Sequence, residues 1–150
     1  MTATNHALTG ALIGLIIGNP YIVVPVAILS HFICDALPHF GTIQDPAGKN
    51  WFKRLLVLDA SLCIVIVIVL AYNHPRHWLI AAISAFLATS PDLMWINKFR
   101  RSQAGIKRVD RPPLLLRIHA SVQWFEKPIG AIFEVAWAIM TIILLKLFIV

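Results

Sequence analysis

The chain has 150 residues, 59% of them hydrophobic and 13% charged, with a mean hydropathy of +0.78. A soluble domain of this size is usually about 45–50% apolar and a quarter charged, so the composition argues against a water-soluble fold and for the bilayer as solvent. The net charge of +6 does not argue for a nucleic-acid partner, because the basic residues lie between apolar runs, as at a membrane surface.

Length suggests one domain, residues 1–150. Cys34 and Cys63 fall inside apolar segments, so no disulfide framework is implied. The opening "MTATNHALTG" has neither Lys nor Arg, and no cleavable signal peptide is expected.

Five apolar segments follow in order. The first, from about Asn5 to Gly18, is short for a span and is broken by Gly18-Asn19-Pro20. The second runs from about Tyr21 to Leu37, with Pro25 near its start, and the third from about Leu55 to Tyr72. The fourth covers about Trp78 to Ile96 and the last about Ile129 to Val150. Between these two, a basic loop meets Pro112-Pro113 and then becomes an amphipathic segment. Leu115, Ile118 and Val122 give that segment an apolar face, and Trp124 and Phe125 suit an interface. The expected fold is all-α: a polytopic membrane bundle of about five helices plus one interfacial segment.

Basic residues then orient the bundle. Lys49, Lys53, Arg54, Lys98, Arg100, Arg101, Lys107, Arg108, Arg111, Arg117 and Lys127 fall on the side of the N-terminus, and only Arg76 and Lys146 on the other. That asymmetry places the N-terminus in the cytoplasm and the C-terminus outside an inner (cell) membrane. Arg100, Arg101, Lys107 and Arg108 would attract anionic headgroups, or serve only as the topology signal.

On this topology, at about 1.5 Å of rise per residue, six polar positions reach one depth near the cytoplasmic surface. They are His6, the His31–Asp35 pair, Asp59, Asp92, His119 and Glu134. His31, Asp35 and His39 stay on one broad helical face, and His6 shares a stripe with Gly10, Gly14 and Gly18 that permits close helix contact or homo-oligomer formation. An intramembrane carboxylate costs several kcal/mol, and a divalent cation offsets it using this mixture of imidazole and carboxylate. His6, His31, Asp35, Asp92 and His119 are the expected ligands of one or two Zn²⁺ ions. Asp59 or Glu134 is expected as general base or bridging carboxylate, and His39 as ligand or leaving-group acid.

Structural readings stand beside these. Asp92 suits a helix cap, Asp59 a pair with Lys53 or Arg54, His39 a helix end, and His119 a headgroup contact. His74 and His77 lie on the far side, as loop residues.

At "NHALTGALIG", "SHFICDALPHFG" and "SPDLMW" the chain resembles the predicted membrane-bound metal-dependent hydrolases, small multi-span proteins of the LexA-regulated inner-membrane type. That family is marked by a Thr-His or similar pair opening its first helix, a Ser-His-x-x-x-Asp motif and a Pro-Asp motif. Asn5-His6, Ser30-His31 with Asp35, and Pro91-Asp92 match them. The family's acidic motif usually continues to a second Asp and a His, where this chain reads "PDLMW", and the motif order differs. The His-x-x-x-Asp spacing is also similar to that of zinc-dependent phospholipase C, a likeness of motif rather than of fold. The resemblance implies hydrolysis, and the expected substrate is a membrane lipid or amphiphile cleaved at a phosphoester. An ion or proton path, or a polar cluster that only locks helix packing, are the rival expectations.

Overall fold

A computed structural model describes residues 1–41, 49–96, 100, 104 and 113–149. Among them are six α-helices and one short 3₁₀ turn: α1 (Ala3–Ile17), α2 (Pro20–Ala36), α3 (Asn50–Asn73), α4 (Trp78–Thr89), the 3₁₀ turn (Ser90–Met94), α5 (Leu114–Val122) and α6 (Gly130–Ile149). No strand occurs among the described residues; one isolated parallel bridge joins His39 to Glu126. The all-helical expectation holds, with every expected segment recovered as a helix.

Local chemistry explains the breaks. Gly18 closes α1 in the left-handed region at φ 63°, and its N–H bonds the Gly14 carbonyl. Asn19 then caps α2, its side chain accepting from the Tyr21 N–H at 3.0 Å, and Pro20 takes the first helical position, where it has no N–H to lose. Pro91 likewise ends the regular part of α4. The chain tightens into the 3₁₀ turn, which carries Asp92.

Packing is closest between α1 and α4, and small residues make it so. A Cβ on Gly10 would meet the Ser84 carbonyl oxygen, the Ala88 Cβ at 2.8 Å and the Ala85 Cα at 2.9 Å. A Cβ on Gly14 would meet the backbone of Ala81. The apolar interior is correspondingly small-grained: Ala7, Ala11, Ala27, Ala81, Ala85 and Ala88 are all buried, with Leu8, Leu15, Val23 and Leu70.

Large aliphatics lie outside instead. Two helices, α3 and α6, are long and apolar enough to cross a membrane by length and composition, with hydropathies of 2.8 and 2.2. Only 6% of the α3 window and 17% of the α6 window is buried. The core helix of a soluble protein would be mostly buried; these present Ile64, Val65, Ile68, Ile139 and Ile143 outward. The remaining apolar helices are shorter. α1, of 15 residues, is about 22 Å long, against about 30 Å of hydrocarbon in a typical bilayer.

Gly10→Ala and Gly14→Ala each force a methyl onto backbone atoms that cannot rotate aside. Each is expected to destabilise the bundle by about 1–3 kcal/mol, read as a lower denaturation midpoint of the detergent-purified protein.

Candidate metal centre

Four side chains from three parts of the fold meet at one point. Two come from α2, where His31 and Asp35, one turn apart, are both fully buried. The 3₁₀ turn after α4 brings Asp92, and α5 brings the buried His119. One ligand atom from each lies within 4.8 Å of all the others.

The edges are short. His31 Nε2 is 3.0 Å from His119 Nε2 and 3.3 Å from Asp35 Oδ2, and His119 Nε2 is 2.8 Å from Asp35 Oδ2. Asp92 Oδ1 stands 3.7 Å from both imidazole nitrogens. A tetrahedral ion with bonds of about 2.0–2.2 Å has ligand–ligand edges of about 3.3–3.6 Å. These five edges lie on either side of that value, and the sixth, from Asp35 to Asp92, is within 4.8 Å. The cluster could therefore hold a metal ion.

Hydrogen bonds assign the protons. His31 Nδ1–H donates to the Ala88 carbonyl oxygen at 2.8 Å, which leaves the Nε2 lone pair facing the cluster. This is the outer-shell bond that commonly orients a metal-ligating histidine. His119 is held the opposite way. Trp95 Nε1–H donates to its Nδ1 at 2.9 Å, so the neutral ring carries its proton on Nε2, directed at Asp35 Oδ2. Lone pairs of His31 Nε2, Asp35 Oδ2 and Asp92 Oδ1 thus converge on one space, and the two N–H groups that enter it, from His119 Nε2 and the Gln123 amide, both go to Asp35 Oδ2. The remaining acceptors are relieved by a further proton or by a cation.

The other sequence-derived candidates occupy different positions. His6 lies beside the cluster: its Nε2–H donates to Asp35 Oδ1 at 3.1 Å, and its ring stacks on His31 with centroids 4.0 Å apart. It supports the far oxygen of Asp35 and lies outside the four-ligand group. Asp59 accepts from the Ala3 and Thr4 backbone N–H groups, each at 2.8 Å, and from the Thr4 hydroxyl. A carboxylate at a helix N-terminus satisfies orphan donors and opposes the positive dipole end.

Glu134 does a related job, accepting from Thr2 N–H at 3.1 Å, Phe40 N–H at 2.9 Å and the Asn5 amide at 3.3 Å. His39 sits past the end of α2, where its Nδ1–H donates to the Leu37 carbonyl and its backbone pairs with the 125–127 stretch. Its Nε2 is buried without a partner among the described residues. Arg100 is exposed; Arg101, Lys107 and Arg108 lie outside the described residues.

Two site residues escaped the sequence reading. Gln123, one turn after His119, donates its amide N–H to Asp35 Oδ2 at 3.1 Å. The signal was present as a polar i, i+4 pair opposite the apolar face of α5. Trp95, three residues beyond Asp92, read only as an apolar helix end.

Removing one ligand by His31→Ala, Asp35→Ala or His119→Ala is expected to abolish stoichiometric metal, measured by elemental analysis of the purified protein. Asp59→Asn should keep the metal but cost about 1–2 kcal/mol of stability through the α1 terminus. Trp95→Phe should bind metal several-fold more tightly in a competitive chelator titration, because a cation on His119 Nε2 shifts the ring proton to Nδ1, where the indole N–H now points.

No protein-family model, no curated protein and no solved structure matches this chain.

Proposed function

We propose that the chain is a polytopic inner-membrane protein in which His31, Asp35 and His119 bind Zn²⁺, with Asp92 beside the open position, and which hydrolyses a lipid or amphiphile at a phosphoester. The carrying observation is the donor set itself: two imidazoles and two carboxylates, one ligand atom from each within 4.8 Å of all the others, inside an otherwise apolar bundle. Membrane residence is supported by the outward-facing aliphatics of α3 and α6 and by a small-residue, polar interior. The topology has the N-terminus and both basic connections in the cytoplasm and the C-terminus outside.

The ligands are not equivalent, and the difference favours catalysis. His31, Asp35 and His119 lie within 3.3 Å of one another and have no solvent exposure. Asp92 is set back at 3.7 Å, and its side chain is 30% exposed. Three tight ligands with an accessible fourth position describe a catalytic zinc site rather than a closed structural one. A divalent ion there would lower the pKa of a bound water and polarise a phosphoryl oxygen. Asp92, at the open position, takes the general-base role in this proposal, since Asp59 and Glu134 are already engaged by backbone N–H groups. Gln123, bonded to Asp35, keeps that ligand oriented.

One observation favours a second reading. Trp95 donates to His119, and His119 and Gln123 donate to Asp35, while His31 is tied to the Ala88 carbonyl, all without a metal ion, so the cluster also suits a polar lock between helices. The two readings separate on one preparation. In the zinc hydrolase, the purified chain carries about one zinc per molecule and cleaves phospholipid or a chromogenic phosphoester amphiphile. Asp92→Asn should then retain zinc while losing at least 100-fold in kcat. Metal-free protein of undiminished stability would leave the polar lock standing.

A further inference from the structure

We infer that α5 is a lipid-docked strap: its outer face seats on an anionic leaflet, and that seating holds His119 in the metal set. The coupling to metal rests on the zinc reading above; the docking does not.

Helix α5 has two unlike faces. His119 and Gln123 point inward to Asp35, and both are within reach of its Oδ2. Leu114 and Ile118 lie about 140° away round the helix, on a separate face. Leu114 is 69% exposed, Ile118 47%, and Trp124, just past the helix end, 70%. Large apolar groups presented on one side of a short surface helix are the pattern of an interfacial segment.

Among the described residues, the hydrogen bonds that tie α5 to the bundle gather at one point. The principal packing neighbour of α5 is α2, and these bonds are His119 to Asp35, Trp95 to His119 and Gln123 to Asp35. Phe32 adds one edge-on ring contact to His119, at 5.7 Å. Polar contacts at a single point define a pivot but leave the outer face of a nine-residue helix without support. An isolated helix of this length is marginal in water.

Charge selects the occupant of that face. Arg117 is exposed on α5, and the Lys127 ammonium is also exposed, 5.1 Å over the Phe125 ring. Cations beside an apolar strip match anionic headgroups above acyl chains. Leu93 and Ile96, which directly follow Asp92 and Trp95 in sequence, are also exposed apolar residues, so the open flank of the cluster continues the same kind of surface. An amphiphile lying in that leaflet would reach Asp92 without leaving lipid.

Because His119 is the ligand that α5 supplies, any partner that favours the seated α5 must also favour the metal, and the reverse. The test uses the full chain in phosphatidylglycerol vesicles and in neutral detergent micelles. Brominated acyl chains should quench Trp124, seen as quenching that is lost in Trp124→Phe. Leu114→Asn combined with Ile118→Asn, which touches no cluster residue, should reduce it. Zinc should bind at least ten-fold more tightly in vesicles than in micelles, and the double variant should fall to the micelle value.

Unquenched Trp124 overturns the docking, as does a dimer that the double variant converts to monomer, because a second copy would then cover the face. Equal zinc affinity in both settings overturns the coupling. Wild-type protein that takes up no zinc anywhere sinks the zinc reading and the coupling together, and the quenching still reports on the docking alone.

Discussion

A carboxylate with no solvent exposure, inside a bundle of apolar helices, is tolerable only if its lone pairs are engaged, and Asp35 meets that condition with four partners. Its Oδ1 accepts from His6 Nε2 at 3.1 Å and from the Met1 nitrogen at 2.5 Å; its Oδ2 accepts from His119 and Gln123. These partners come from the N-terminal stretch and α1 on one side and from α5 on the other, while His31 reaches from α2 to the end of α4 through the Ala88 carbonyl. The arrangement of α1, α2, α4 and α5 at this end of the bundle therefore follows from satisfying one buried charge. Alternative helix rotations would leave that charge bare.

The same economy governs the start of α1. The Met1 nitrogen goes to Asp35, the Thr2 N–H to Glu134, and the Ala3 and Thr4 N–H groups to Asp59. Three carboxylates from α2, α6 and α3 thus take the donors that a helix start leaves unpaired. No side chain of α1 caps its own terminus. An acid inside an apolar bundle need not be catalytic to be useful: here two of the four central carboxylates join helices by accepting backbone N–H bonds. Small residues do the rest, because Gly10 and Gly14 let α1 approach α4 closely enough for the polar groups above them to meet.

Much of this was legible in the sequence, and the failures share a cause. Apolar run lengths and the Gly18-Asn19-Pro20 break located the helices. Counting residues at a fixed rise put His31, Asp35, Asp92 and His119 at a common depth, where the structure also brings them together. Depth alone does not give rotation about the helix axis. Asp59 and Glu134 lie at the expected level yet face the α1 terminus, and His6 faces Asp35 from outside the four-ligand group. Azimuth depends on how side chains of several helices interlock, which a single chain's periodicity does not encode. Gln123 and Trp95 were missed because their roles exist only relative to His119.

The unequal orientation of the two histidines bears most directly on what the cluster does. His31 is prepared for a cation, with its distal N–H fixed on a carbonyl and its lone pair turned inward. His119 is prepared for a proton, since the Trp95 indole N–H occupies the nitrogen that would have to become a donor. A cation entering the site therefore has to displace the His119 Nε2 proton and turn either the ring or the indole. The energy of that rearrangement sets the affinity, and α5, which carries His119, is the most lightly packed of the helices involved. Metal binding, indole orientation and the position of α5 then belong to one equilibrium, and none of the three can be varied independently of the others.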